Sequence, residues 1–218
     1  MTLALYGHPF SSYTQKALVA LYENDTLFQF RMLDGSEPHA SDFEALWPIK
    51  RFPILVDEGR TILESTIVIE YLGLRHPGPV RLIPADADEA LEVRKLDRFF
   101  DNYVMIPMQK IVFDILRPAD VRDSYGVGEA RAMLDRAYAW LDDTMTNREW
   151  AAGDEFSLAD CAAAPSLFYA DWVHPIAPSF GNVCAYRKRL LARPSFARAV
   201  DEARPYRKFF PPGAPDRD

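Results

Sequence analysis

The sequence predicts a two-domain α+β protein in which a small unit of order βαβαββα precedes an all-helical bundle. In the first part of the chain, short apolar segments with alternating polar positions are interleaved with helical patterns. A Pro/Gly-rich stretch, His76-Pro77-Gly78-Pro79, ends this pattern, and from Asp86 onward the apolar spacing is helical almost throughout. We therefore place the first domain at residues 1–77, a linker at 78–86 and the helical domain at 87–218.

A Ser-rich turn lies between the first predicted strand and the first predicted helix. Leu3 and Leu5 alternate with smaller residues from Thr2 onward, which is typical of a short strand. Apolar residues then recur at helical spacing from Ala17. The turn between them, Tyr6 to Lys16, therefore brings hydroxyls, unpaired N–H groups and the positive end of a helix dipole together. Such a turn is suited to binding an anion.

Two adjacent serines in this turn, Ser11 and Ser12, have two possible roles. Serine is among the preferred N-cap residues, so capping of the following helix is the simpler interpretation for either one. Ser11 comes earlier and its hydroxyl is expected to face a ligand, whereas Ser12 is closer to the helix start and is expected to cap it. We take Ser11 as the candidate catalytic residue.

The remaining elements of the first domain are predicted from alternation, capping pairs and one turn signal. They are a strand at residues 28–32, a short helix at 42–46 behind the capping-box pair Ser41 and Glu44, a hairpin of 54–56 with 61–63 around Asp57-Glu58-Gly59-Arg60, and a helix from Ile67 with Ser65 as its N-cap.

The helical domain is predicted from recurrent apolar spacing and from its caps. Its elements are a long helix from Leu91 that Pro107 should kink, an amphipathic helix at 130–141, a helix starting at the capping-box-like Ser157-Leu158-Ala159-Asp160, helices at 183–192 and 196–203 with Ser195 capping the second, and an extended tail at 211–215.

Composition and charge exclude several classes of function. A net charge of −7 argues against nucleic acid or an anionic membrane as the main partner, and no apolar run approaches the roughly 18 residues of a membrane span. We expect a cytoplasmic protein.

Cys161 and Cys184 have no Cys or His neighbour at metal-ligand spacing, so we expect buried thiols and no metal. The basic cluster Arg187-Lys188-Arg189 is interpreted as a solvated helix face.

Four segments, in order and spread over both halves, resemble the cytosolic glutathione S-transferases, and most closely the bacterial, serine-type members that are theta- or zeta-like. They are Ser11-Ser12-Tyr13 at the position of the active serine, Trp47-Pro48-Ile49-Lys50-Arg51-Phe52-Pro53 leading to a cis-proline, Glu64-Ser65 before a helix, and Gly153-Asp154-Glu155-Phe156-Ser157-Leu158-Ala159-Asp160 at a core helix of the second domain. The resemblance implies a thioredoxin-like first domain.

The resemblance assigns roles in glutathione binding to several residues of the first domain, and the chemistry of their side chains and backbone is suited to those roles. It places the catalytic hydroxyl at Ser11 and a cis bond before Pro53, which would leave the N–H and C=O of Phe52 free to pair with a peptide. The pair Glu64-Ser65 would hold the γ-glutamyl end of glutathione. The candidates for its glycyl carboxylate are Arg51 and His39.

The second substrate is expected between the Ser-rich turn and the long helix of the second domain. The candidates are Phe10, Tyr103, Met108 and Phe113, with Phe168 and Trp172 as weaker ones. Aromatic residues and Met at helical spacing are more often core residues, and that alternative stays open. The implied reaction is attack of the glutathione thiolate on a small hydrophobic electrophile. Alternatives are a glutathione-dependent cis-trans isomerase similar to maleylacetoacetate isomerase, or a non-catalytic binding module.

The resemblance also implies a homodimer. Asp97 and Asp101 lie four apart on one face of the long helix, where Asp101 could reach the ammonium of glutathione bound by the neighbouring chain; a solvated acidic face is the alternative.

Three positions depart from the family pattern: Tyr13 stands where zeta-like members have Cys, Trp47 where Asn is common, and Phe52 where a smaller residue is usual. These departures leave the subclass open.

Overall fold

The computed structural model describes residues 3–218, so the predicted strand position Thr2 lies outside the described residues. The elements of the fold are, in chain order, β1 (Ala4–Gly7), α1 (Ser12–Glu23), β2 (Gln29–Met32), α2 (His39–Leu46), β3 (Ile54–Asp57), β4 (Arg60–Leu63), α3 (Ser65–Arg75), α4 (Ala87–Phe99), a π-helical segment (Phe100–Met105), α5 (Ile106–Ile115), a 3-10 turn (Ala119–Val121), α6 (Ser124–Thr144), α7 (Leu158–Val173), α8 (Gly181–Ala192), α9 (Pro194–Ala203) and a 3-10 segment (Arg204–Phe209).

The four strands form one mixed sheet in the order β2-β1-β3-β4. Leu5 of β1 pairs with Phe30 of the parallel strand β2 and with Leu55 of the antiparallel strand β3. The predicted hairpin is confirmed, since β3 and β4 are joined by Glu58 and Gly59, which both have positive φ. The order of elements is βαβαββα, as the sequence predicts.

Helix α1 is buried on two faces and joins the sheet to the helical bundle. Leu18 and Leu21 pack with the strands and α3, whereas Val19 and Ala20 pack in the core of the helical domain, mainly against α7 and α9. Burial of an aliphatic side chain such as Leu contributes about 1.5–3 kcal/mol to the free energy of folding. The apolar contacts on both faces therefore stabilise the position of α1. The residue at the start of α1 is therefore fixed relative to both halves of the molecule.

Near the kink predicted at Pro107, the structure has a π-helical segment. Phe100–Met105 adopts i to i+5 hydrogen bonding, and α5 then begins with Pro107 in its first turn, where a missing N–H costs little. The long helix is thus divided into α4 and α5 with a change of helical phase between them. That change determines which side chains of α5 face the first domain.

Three predicted helix caps are wrong in position. Helix α2 begins at His39, ahead of Ser41, whose hydroxyl donates to the carboxylate of Glu37 at 2.7 Å. Ser65 is the first residue of α3 and Glu64 occupies the N-cap. Ser195 lies inside α9, where its hydroxyl hydrogen-bonds to Glu23 of α1. In contrast, the capping box of α7 is confirmed.

The end of the chain folds back onto the helical domain, contrary to the predicted extended tail. After the 3-10 segment Arg204–Phe209, the ring of Phe210 is buried, and the Arg217 side chain pairs with the carboxylate of Asp171 in α7. The Arg187 side chain also turns inward, 3.3 Å from the same carboxylate, so it is not part of a solvated face. Burial lowers the pKa of the Arg187 guanidinium and Asp171 opposes that shift.

Within residues 3–218, no helix is long and apolar enough to cross a membrane. The same residues contain no cluster of three or more His, Cys, Asp or Glu side chains with the geometry of a metal site. Both cysteines are free thiols: Cys161 is buried, as predicted, while Cys184 is only partly buried.

Candidate functional site

A cavity of about 630 Å³ lies between the sheet domain and the helical domain. Its first-domain wall comes from residues 10–13, from the loop before β3 and from the junction of β4 with α3. Its opposite wall comes from the helix pair α4 and α5, from α7 and from residues 209–211. One end of the cavity is polar and charged and the other is apolar, which suits a ligand pair of different character.

Ser11 lies in this cavity and is the N-cap of α1. Its Oγ accepts a hydrogen bond from the backbone N–H of Thr14 at 3.3 Å, and its backbone is extended, as expected of an N-cap residue. The prediction that Ser12 caps the helix is wrong, because Ser12 is the first helical residue. Capping uses only a lone pair of Ser11, so its hydroxyl proton is available to a ligand.

The predicted cis bond between Phe52 and Pro53 is present. Both residues line the cavity. Within the described part of the chain, the N–H and C=O of Phe52 have no hydrogen-bond partner in the backbone. The Phe52 backbone therefore offers one donor and one acceptor to an extended ligand beside Ser11.

The start of α3 supplies a second anion-binding feature. Glu64 has a φ of 68°, a conformation that is uncommon for a residue other than Gly, and it directs the chain from β4 into the helix. Ser65 is buried and lines the cavity together with Glu64. The first N–H groups of a helix have no partner within it, so this end of α3 attracts a carboxylate.

Of the two candidates for a carboxylate ligand, only Arg51 reaches the cavity. Arg51 is exposed and makes no ion pair with a carboxylate among residues 3–218, whereas its neighbour Lys50 pairs with Glu44 at 2.6 Å. His39 does not line the cavity: its ring contacts Tyr6 edge to face and its Nδ1 lies 3.3 Å from the carbonyl oxygen of Met32. The role expected of His39 stays a prediction, and in this structure its ring packs at the start of α2.

Asp97 and Asp101 are buried rather than solvated, and a lysine missed by the sequence analysis lies between them. The Nζ of Lys16 is 2.6 Å from Asp97 Oδ1 and 2.9 Å from Asp101 Oδ2. Thr66 and Arg98 complete this cluster, which links α1 and α3 to the helical domain. Burial raises the pKa of the Asp101 carboxyl and Lys16 opposes that rise. Asp101 also lines the cavity, and its Oδ1 has no partner among the described residues.

The apolar end of the cavity contains three of the four predicted residues, Phe10, Met108 and Phe113. Tyr103 is absent from it. It lies in a separate groove with Phe99 and Trp140, lined by α4, the π-helical segment and α6. The phase of the helix changes within the π-helical segment that contains Tyr103, so helical spacing alone misplaced it.

The weaker candidates Phe168 and Trp172 belong to the core of the helical domain and do not line the cavity. The apolar wall is completed by residues that the sequence analysis did not single out: Val112, Leu116, Tyr169, Phe209, Phe210 and Pro211. The last three line the cavity because the end of the chain folds back, and the only sequence signal for this is the pair of adjacent aromatic residues Phe209 and Phe210.

Two aromatic residues provide a matched test of the apolar wall. Phe113 and Tyr103 are exposed to 49% and 48%, but only Phe113 lines the cavity. We expect Phe113→Ala to raise the KM for a hydrophobic second substrate about tenfold, since loss of a partly exposed ring costs on the order of 1–2 kcal/mol of apolar contact. Tyr103→Ala should leave that KM unchanged in the same steady-state assay. Equal effects of the two substitutions would contradict this assignment.

Comparison with known proteins identifies the family. The model of the glutathione S-transferase N-terminal domain matches residues 5–80, and that of the C-terminal domain matches residues 104–194. A probable maleylacetoacetate isomerase of Vibrio cholerae is 27% identical over 94% of this chain and 98% of its own length. A glutathione S-transferase of Silene vulgaris is 28% identical over 92% and 97%, respectively.

A solved structure with the same fold is that of a glutathione S-transferase from Methylobacterium radiotolerans in complex with glutathione sulfonate. It has a TM-score of 0.78 and 25% identity, and the match covers 92% of this chain and 95% of that one. The family models and the fold agree over both halves of the molecule. The chain belongs to the glutathione S-transferase family: it is an enzyme of the transferase class, with glutathione as co-substrate.

Proposed function

We propose that Ser11 activates the thiol of bound glutathione for attack on a small hydrophobic electrophile in the apolar half of the cavity. The observation that supports this best is the position of Ser11, whose hydroxyl proton is free at the N-terminus of α1 and beside the unpaired backbone of Phe52. A sulfur at that point would receive a hydrogen bond and the positive end of a helix dipole.

The energetic requirement is modest. A free thiol has a pKa near 8.5, so only a few per cent is thiolate at neutral pH. Each unit by which the site lowers that pKa requires about 1.4 kcal/mol of preferential stabilisation of the thiolate. A charge-assisted hydrogen bond contributes about 1.5–3 kcal/mol, so one hydroxyl donor is sufficient to make the thiolate the main form at neutral pH.

The rest of the glutathione molecule fits the polar half of the cavity. Its cysteinyl backbone would pair with the N–H and C=O of Phe52, and its γ-glutamyl carboxylate would lie at the N-terminus of α3, beside Glu64 and Ser65. The carboxylate of Asp101, which lines the cavity of the same chain, would accept from the γ-glutamyl ammonium. The guanidinium of Arg51 would hold the glycyl carboxylate.

Arg51 gives a direct test of this placement. We expect Arg51→Met to weaken glutathione binding by about 1.5–3 kcal/mol, the range for a hydrogen bond to a charged group, because the variant loses the cation and keeps the aliphatic stem. The KM for glutathione should rise while kcat changes little, since the glycyl end is remote from the sulfur. Arg75→Met is the control, because Arg75 is exposed at the end of α3 and outside the cavity. A lower kcat with an unchanged KM would contradict the placement.

One relative favours a second reaction. The chain resembles a probable maleylacetoacetate isomerase over nearly its whole length. An isomerase of that kind would use the same activated thiolate, adding it to a conjugated substrate and releasing it after rotation. In that case the electrophile would carry carboxylates, and these would compete with the glycyl carboxylate of glutathione for the exposed cation Arg51.

The experiment that tests the proposed function is retention on immobilised glutathione followed by a panel of electrophiles. We expect retention, and glutathione-dependent turnover of at least one hydrophobic aryl halide, epoxide or enone. Turnover of maleylacetoacetate with no aryl or alkyl conjugation would favour the isomerase instead. Retention without any turnover over the panel would contradict thiol activation by Ser11.

We also propose that the protein acts as a homodimer in the cytoplasm. The support for the dimer is membership of the family together with the exposed aromatic groove formed by Phe99, Tyr103 and Trp140 on the helical domain. We expect light scattering at micromolar concentration to give about twice the chain mass of 24.8 kDa. A mass equal to one chain at that concentration would contradict the dimer.

A further inference from the structure

The turn that contains Ser11 is held by a buried side-chain network reaching into the helical domain. The Nε2 of Gln15 donates to the carbonyl oxygen of Pro9 at 3.0 Å and to the hydroxyl oxygen of Tyr169 at 3.0 Å. The hydroxyl of Tyr169 in turn donates to the carbonyl oxygen of Phe10 at 3.4 Å. The two peptide carbonyls immediately before Ser11 are thus both hydrogen-bonded by this pair.

The chemistry of these groups fixes the direction of each bond. A peptide carbonyl can only accept, so the atom of Gln15 that faces Pro9 must be the amide nitrogen. The hydroxyl of Tyr169 accepts from that nitrogen and keeps its own proton for Phe10. Gln15 is completely buried, so loss of any of these partners leaves a buried polar atom unsatisfied.

Tyr169 is well placed to fix the turn. It lies in the C-terminal half of α7, is buried, and its ring meets that of Phe10 edge to face with centroids 5.5 Å apart. Helices α1 and α7 form the main joint between the two halves of the molecule. The network therefore holds the turn of one domain at a fixed distance from a rigid helix of the other.

We propose that Gln15 and Tyr169 are positioning residues that hold the hydroxyl of Ser11 in its productive orientation toward the glutathione sulfur. This inference rests on the proposed function of Ser11 and adds the mechanism by which the helical domain controls it. A donor that stabilises a charge must be held within a few tenths of an ångström, and a displacement of the turn by an ångström has a large effect on rate. In this protein the required rigidity comes from Tyr169, not from the turn alone.

The test substitutes Tyr169→Phe, which removes the hydroxyl and retains the ring that packs on Phe10. The thiolate absorbance of bound glutathione is titrated against pH, and kcat and KM are measured with a hydrophobic electrophile. We expect the pKa of the bound thiol to rise and kcat to fall about tenfold, with the KM for glutathione nearly unchanged. Tyr138→Phe is the matched control, because it removes another buried hydroxyl, which bonds the carbonyl oxygen of His174 outside the cavity.

The outcomes separate this inference from the function on which it rests. If Ser11→Ala shifts the thiol pKa and Tyr169→Phe does not, the positioning role is overturned and the role of Ser11 stands. If Ser11→Ala itself has no effect, the proposed function fails. If Tyr169→Phe does not fold, Gln15→Met breaks the network from α1 by removing the bonds to Pro9 and to Tyr169, and a rise in thiol pKa is again expected. Equal shifts in Tyr138→Phe and Tyr169→Phe would overturn the inference.

Discussion

Replacing Ser11 with Ala is expected to lower kcat by about 100- to 1,000-fold, the usual cost of losing one preorganised donor to a developing or fixed negative charge. The pKa of bound glutathione should rise toward that of the free thiol, because only the dipole of α1 and the backbone N–H groups still stabilise the thiolate. The measurement is a pH titration of thiolate absorbance in the binary complex, combined with turnover of the best electrophile of the panel.

The structure adds a stability effect to this variant. Ser11 is the N-cap of α1, so its loss should also destabilise the fold by about 1 kcal/mol. Asp86→Ala is the matched control, because Asp86 caps α4 through two hydrogen bonds, to Asp88 and Glu89, outside the cavity. It should lose similar stability with full turnover. Ser12→Ala should change neither property strongly.

A contrary result would point to another donor. Tyr13 lines the cavity, and burial, with a further contribution from Asp101, raises the pKa of its phenol, so the hydroxyl stays protonated at neutral pH. If Ser11→Ala kept full turnover and Tyr13→Phe lost it, thiol activation would belong to Tyr13. The serine mechanism would then be wrong, although the placement of glutathione against Phe52 would stand.

The sequence predicts the fold well because the signals involved are local. Alternation gives the strands, period 3.6 gives the helices, and the two-residue turn at Glu58 and Gly59 follows from its residue types. Caps are less well predicted, since Ser41, Ser65 and Ser195 all have the right chemistry for an N-cap and none occupies one. Residue preference shows that a helix starts nearby, but tertiary contacts decide the first residue.

Local chain signals predict the part of the site that one turn forms, whereas the resemblance to a family was needed for the parts at Phe52-Pro53 and Glu64-Ser65. Ser11 and the cavity wall at Phe10 follow from one turn. Tyr103 was misplaced because the π-helical segment changes the phase of the helix, and a helical wheel does not contain that change. The Tyr169 contribution depends on which face of α7 meets α1, and the sequence does not fix this packing.

The buried cation Lys16 provides the prediction with the largest expected effect on stability. Its Nζ contacts the carboxylates of Asp97 and Asp101, and the side chain is almost completely buried. Lys16→Met keeps the aliphatic volume and removes the charge, leaving two buried carboxylates with only the half-exposed Arg98 as a cation. We expect a loss of about 3–5 kcal/mol in the free energy of unfolding, measured by urea denaturation at neutral pH.

The size and the pH dependence of this loss test its electrostatic origin. Lys50→Met is the control, because the exposed pair of Lys50 with Glu44 should contribute less than about 1 kcal/mol. Burial already raises the pKa of the Asp101 carboxyl, and removal of Lys16 removes the main opposing effect, so that pKa should rise further. A carboxyl whose pKa is higher in the folded than in the unfolded state adds stability as the pH falls through the folded value. The deficit of Lys16→Met should therefore shrink between neutral and acid pH, and Asp101→Asn in the same chain should reduce it at neutral pH. A deficit that stayed constant with pH and was unaffected by Asp101→Asn would show that Lys16 acts through packing alone.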